Sequence, residues 1–137
     1  MIVKTKSGEI EGIKEDLYYS FKGIPYAESP TGENRWLAPK PVKPWSDVKS
    51  CKEFGSICPQ NELVYEQEAT SDYETGSNQN EDCLSLNIWT SDLNSKKPVL
   101  VWIHGGAYFL GSGADCLSDS EDICREGKYV VVSMNYR

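Results

Sequence analysis

The stretch Val99-Leu-Val-Trp-Ile-His-Gly-Gly-Ala-Tyr-Phe-Leu-Gly-Ser-Gly113 opens as a buried-strand pattern and breaks abruptly at His104, Gly105, Gly106 and Ala107. An apolar run of this length, bounded by turn residues, predicts a parallel strand covered on both faces. The small residues that follow leave main-chain N–H groups uncovered, and such groups can stabilise a developing negative charge. Taken alone, His-Gly-Gly is explained equally well as a tight strand-to-loop turn in which glycine supplies positive φ.

Outward from this run the periodicity sets out the rest of the chain. Leu84, Leu86 and Ile88 alternate with Ser85, Asn87 and Trp89, which predicts a strand with unequal faces. Ser118 to Gly127 reads as a short helix with acidic residues in its opening turns and glycine just past its end, followed by a strand from Tyr129 to Met134. Strand, loop, helix and strand in that order suit a right-handed crossover in an α/β sheet. Upstream, Ile2 to Thr5 and Ile10 to Lys14 alternate around Ser7-Gly8, and Leu17 to Phe21 supplies a third strand of a small antiparallel sheet. Pro25, Pro30, Pro39, Pro41 and Pro44 then exclude regular helix, so an extended wrap is expected, pinned by Tyr26, Trp36, Leu37 and Trp45. Asn61 to Asn80 is acidic and amide-rich, the composition of a solvated loop.

A chain of 137 residues with a formal charge of -7 is one unit, and its acidity argues against nucleic-acid binding, which needs a basic surface. No apolar stretch is long enough for a signal core or a membrane span, so the expected location is cytoplasmic. The five cysteines, Cys51, Cys58, Cys83, Cys116 and Cys124, are then expected to stay reduced. They form no close C-x2-C pair and there is a single histidine, so neither a metal nor a cofactor is expected.

Separated blocks are spaced along the chain: Phe21-Lys-Gly-Ile-Pro-Tyr-Ala27, Pro30-Thr-Gly32, Asn34-Arg-Trp36, Pro44-Trp45, Phe54-Gly55 and Cys58-Pro-Gln60. They continue through Glu81-Asp-Cys-Leu-Ser-Leu-Asn-Ile-Trp89, Trp102-Ile-His-Gly-Gly106 and Asn135-Tyr-Arg137. In these blocks and their order the chain resembles the type-B carboxylesterase family, which includes the cholinesterases. The resemblance implies an α/β-hydrolase fold in which a small antiparallel N-terminal sheet leads into a central mixed sheet. It implies hydrolysis of a small-molecule carboxylic ester through an acyl-serine intermediate, with the N–H groups of Gly106 and Ala107 as oxyanion donors. Gly105 then lets the loop turn, and His104 orients it. Arg35 corresponds to the family's buried arginine that pairs with Glu81. Cys58 and Cys83 match positions that secreted relatives join by a disulfide. The corresponding loop of cholinesterases carries a substrate-touching aromatic, but neither Tyr65 nor Tyr73 matches a motif that transfers the role, and the segment is read as a surface loop.

The same resemblance implies a Gly-x-Ser-x-Gly nucleophile elbow, an acid and a base, and this sequence has none of them. Gly111-Ser-Gly113 lacks the spacing, and the only histidine lies in the turn. Residues 1–137 are therefore expected to be the N-terminal portion of one hydrolase domain, incomplete at its C-terminus and inactive alone. The competing reading is a catalytically silent, cholinesterase-like binding or adhesion domain.

Overall fold

A computed structural model describes residues 1–61, 78–115 and 117–137. Tyr65, Tyr73 and Cys116 lie outside the described residues. Two sheets carry the fold. The smaller is built from β1 (Ile2–Lys4), β2 (Glu9–Glu11) and β5 (Lys49–Ser50) in the order β1-β2-β5, with β1 antiparallel and β5 parallel to β2. The larger contains β3 (Ile13–Lys14), β4 (Tyr19–Pro25), β6 (Ser85–Thr90), β7 (Val99–Ile103) and β8 (Val130–Met134), in the order β3-β4-β6-β8-β7. One α-helix among the described residues, α1 (Leu117–Arg125), connects β7 to β8, and a single 3-10 turn stands at Gly32–Asn34.

The expected strand from Ile10 to Lys14 is split between the two sheets. The cause is Gly12, where a Cβ would stand 2.3 Å from the Ser20 carbonyl oxygen, so the chain can cross close to β4 only without a side chain. The third strand begins two residues late, at Tyr19, and runs on to Pro25, while Leu17 is an exposed turn residue. β4 tolerates its terminal proline because pairing with β6 has already shifted register between Phe21 and Ile24. Gly23 takes φ +66 there, and its N–H goes to the Asn87 side chain at 2.9 Å.

β7 and β8 are parallel neighbours, as the helix between them requires, and Val99 faces Val130 in register. The helix stops where glycine allows it: Gly127 takes φ +77 and its N–H reaches the Cys124 carbonyl at 2.9 Å. Trp89, Cys124 and Val131 are essentially inaccessible, and Leu100 packs against their cluster. A second cluster joins Ile10, Phe21, Ile24 and Cys51 and fills the space between the sheets with Trp45.

Several expectations need correction. β7 is covered on one face only: Val99, Val101 and Ile103 are 59%, 53% and 65% exposed, because the described α-helix packs on the opposite face, where Leu100 meets Cys124 and Val131. In β6 the most buried residues are Asn87 and Trp89 rather than Leu86 and Ile88, so the apolar alternation names the less buried face. Of the expected anchors, Tyr26 and Trp45 hold, through Tyr26 Oη to the Asn135 carbonyl (2.7 Å) and Trp45 Nε1 to the Glu9 carbonyl (2.9 Å). Trp36 and Leu37 do not; Trp36 is 92% exposed with φ +63. The Arg35–Glu81 pair forms at 2.5 Å, but both side chains are about half exposed and the bond is a surface one.

Candidate functional site

The site grows from the C-terminal end of β7, where parallel strands in α/β folds commonly deliver functional loops. His104 is buried, Gly106 half-buried, and Gly105, Ala107 and Tyr108 exposed. Gly106 turns the chain at φ +106, and Ala107 and Tyr108 follow at φ +52 and +67. Consecutive left-handed residues that are not glycine are costly and persist only when their surroundings hold them. The turn is closed from within, since Phe109 and Leu110 N–H groups both donate to the Gly106 carbonyl, at 3.0 and 3.1 Å. A Cβ on Gly106 would lie 2.0 Å from the Leu110 carbonyl oxygen, which reserves this position for glycine. At Gly105 a Cβ would meet nothing within 4 Å, so within this turn the steric demand for glycine falls on Gly106 and Gly111.

Among the described residues, the N–H groups of Gly106 and Ala107 donate to no other group. His104 is held through its ring, its carbonyl and its Nδ1. Its ring stacks on Tyr136 with centroids 4.2 Å apart and planes at 11°, and its carbonyl accepts the Tyr136 hydroxyl at 2.9 Å. Its Nδ1 lies 2.8 Å from the Gly105 carbonyl oxygen, a contact that calls for the proton on Nδ1.

The far end of the turn is held by amides. Gly111 N–H donates to Gln60 Oε1 at 2.8 Å, and Gln60 Nε2 donates to the Gly111 carbonyl at 3.2 Å. Gly113 N–H donates to Asn135 Oδ1 at 2.7 Å, while the Gly113 carbonyl accepts from Ser133 Oγ and Asn87 Nδ2. Asn87 also donates to Ser133 Oγ at 3.0 Å, and Asn135 to the Ser56 carbonyl at 3.0 Å. Sequence reasoning gave Gln60, Asn87, Asn135 and Tyr136 no role. The signal available was that polar residues interrupt apolar strands at Asn87 and Ser133, which a buried sheet permits only when their hydrogen bonds are met.

Beside the turn is a cavity of about 470 Å³ whose walls include Cys58, Gln60, Cys83, His104, Gly111 and Tyr136. Gly106 and Ala107 are not part of its wall, although His104 before them and Tyr108 to Gly111 after them are. Arg35 and Glu81 also line it, which brings their pair to the site's edge. Cys58 and Cys83 face each other with Sγ atoms 2.7 Å apart, and Cys58 Sγ also reaches the Tyr136 carbonyl at 2.9 Å. The hydrogen bond from Cys83 favours the Cys58 thiolate and lowers its pKa; the same bond, with burial, pushes the Cys83 thiol up. Among the described residues no group of three metal-ligating side chains occurs, and no helix is long and apolar enough to cross a membrane.

A loop of paired glycines at a central strand end, braced by buried amides, within a mixed sheet, defines an α/β-hydrolase segment. The family model described as the carboxylesterase family matches residues 1–137, and the chain belongs to that family. It is 42% identical to the para-nitrobenzyl esterase of Bacillus subtilis (strain 168) over 99% of the chain, and 39% identical to the phenmedipham hydrolase of Pseudarthrobacter oxydans. Among solved structures, a para-nitrobenzyl esterase superposes with a TM-score of 0.87 at 39% identity, and a Geobacillus stearothermophilus carboxylesterase with 0.84 at 37%. Each match covers 99% of this chain. The chain spans only 27% and 28% of the length of the two curated relatives.

Proposed function

We propose that this chain is the N-terminal segment of a carboxylic ester hydrolase and donates the Gly106 and Ala107 N–H groups to its oxyanion hole. The reading rests on two adjacent N–H groups without a partner among the described residues, on a turn whose left-handed backbone is held by buried anchors. When a serine oxygen attacks an ester carbonyl, the carbonyl oxygen gains charge, and donors already aimed at it need no reorganisation. His104 orients the turn: its Nδ1 and carbonyl are both committed to the backbone and to Tyr136. The nucleophile, its base and the orienting acid come from sequence outside these residues, since no Gly-x-Ser-x-Gly occurs here. The substrate is a small carboxylic ester. The segment works in a reducing cytoplasm with Cys58 and Cys83 as facing thiols.

The test joins residues 1–137 to the rest of the Bacillus subtilis para-nitrobenzyl esterase, replacing the 27% of that enzyme that it matches. If the junction prevents folding, the same comparison is made in the complete reading frame that carries the segment. Proline at position 107 is unsuitable as a probe, because its ring cannot take φ +52 and the loop itself would change. Replacing Ala107 by lactic acid exchanges only the N–H for an ester oxygen. We expect kcat on para-nitrophenyl acetate to fall about a hundredfold or more while KM changes little. A folded ester-substituted enzyme with unchanged kcat overturns the donor assignment, and a folded chimera with no turnover supports the silent binding domain instead.

A further inference from the structure

We infer that Gln60 is the positioning residue of the oxyanion turn, acting through Gly111. This rests on the oxyanion reading above. The Gln60 amide closes a two-way hydrogen-bonded pair with the Gly111 backbone, with Oε1 accepting at 2.8 Å and Nε2 donating at 3.2 Å. Its Nε2 also donates to the Cys58 carbonyl at 3.0 Å, and the Gln60 N–H donates to Gln79 Oε1 at 2.7 Å. Three bonds therefore fix the side chain between the Cys58 segment and the turn, and a fourth holds its backbone.

Gly111 transmits that position to the donors. It sits at φ +103, so close to the start of the turn that a Cβ would stand 2.6 Å from His104 Nδ1 and 2.7 Å from the Gly105 carbonyl oxygen. A shift of Gly111 toward or away from Gln60 therefore moves His104 and Gly105, the two residues from which the Gly106 and Ala107 N–H groups are hung. Tyr136 holds the entrance of the turn and Gln60 holds its exit; between them, among the described residues, the left-handed Ala107 makes no hydrogen bond to the body of the protein, and Tyr108 meets it through an edge-on contact with the Tyr136 ring. A clamp on the exit is what keeps this strained segment from relaxing. Gln60 touches no reacting atom in this scheme. Its effect is on where the donors point.

A clamp of this kind makes a specific chemical demand on position 60, namely an acceptor for Gly111 N–H and a donor for the Gly111 and Cys58 carbonyls. Glutamine meets it. Methionine matches glutamine in length and meets neither part. Protonated glutamate keeps the acceptor and has one O–H, enough for one of the two carbonyls; ionised, it has no donor and turns a carboxylate oxygen toward both carbonyl oxygens, which repels them.

In the same chimera we expect Gln60→Met to lower kcat on para-nitrophenyl acetate about tenfold or more with KM within about twofold, because the loss falls on the transition state. Affinity for a trifluoromethyl ketone, whose serine hemiketal carries the oxyanion, falls in step with kcat. Gln60→Glu supplies a control within a single folded sample. Its kcat relative to the unsubstituted chimera at each pH rises as pH falls and the carboxyl protonates. A folded Gln60→Met with unchanged kcat, or a Gln60→Glu ratio that is flat with pH, overturns the inference. If Gln60→Met does not fold, the Gln60→Glu profile decides alone. The Ala107 ester substitution separates the two claims: loss there with no loss at Gln60 removes the clamp and keeps the oxyanion reading, whereas no loss at either removes both.

Discussion

β7 and β8 are adjacent, parallel and made of similar residues, Val-Leu-Val-Trp-Ile against Val-Val-Val-Ser-Met, yet they live in different environments. β8 lies between β6 and β7; Val131 is 1% exposed and Ser133 fully buried. β7 is the last described strand of its sheet and leaves Val99, Val101 and Ile103 in the open. Strand propensity is thus a property of the residues, while burial is a property of what stands on either side. The difference continues past the strand ends. After β8, Asn135 and Tyr136 point back into the body of the protein and serve as anchors. After β7 the chain enters a strained, exposed turn that depends on those anchors.

The sharpest way to break this comparison is to remove the polar centre of the buried side. Asn87→Ala deletes bonds to the Gly23 N–H, the Gly113 carbonyl and Ser133 Oγ. A buried donor left unmet costs more than the bond itself contributes, so a loss on the order of 3 kcal/mol is expected in urea unfolding. In the chimera it also lowers kcat, since Gly113 borders the turn. An Asn87→Ala protein of unchanged stability shows that the centre contributes little.

The next test pairs the two strands directly. Val131→Ala removes buried methyls and should cost about 2 kcal/mol. Val101→Ala, at 53% exposure, should cost about 0.5 kcal/mol or less in the 137-residue chain. In the chimera the gap should narrow, because further elements of the relative are expected to cover β7. Equal costs in the short chain mean that β7 is already covered there, by self-association for instance, which a sedimentation measurement detects.

The smallest effect is expected at the surface pair. Arg35 and Glu81 hydrogen-bond at 2.5 Å but remain in contact with solvent, where water and salt screen the attraction. Arg35→Ala, Glu81→Gln and the double variant should leave the unfolding midpoint within error in the short chain. A coupling between the two that survives high salt contradicts this and restores the buried pair that the family resemblance implies.

The resemblance placed the turn correctly at the end of β7, and the spacing placed the helix and β8 within a residue or two. Local rules suffice for those features: apolar runs bounded by glycine, an acidic helix start and a glycine stop act between near neighbours. The clamp was not legible, because Gln60 and Gly111 are 51 residues apart and Asn135 and Ser56 are 79 apart. Nothing in the local pattern distinguishes a glutamine that braces a backbone from one that is solvated. Trp36 failed for the same reason in reverse, since a large aromatic in a proline-rich wrap is worth burying only if a surface is there to receive it, and none of the described residues provides one. By itself, then, the sequence determined the strands β6 to β8, the helix and the turn between them, and the family they belong to, because these depend on short-range stereochemistry and on blocks of residues in order. Only the tertiary structure decided which face of each strand is covered, which polar side chains hold the turn and whether an ion pair is buried, because each of these depends on groups brought together from distant parts of the chain.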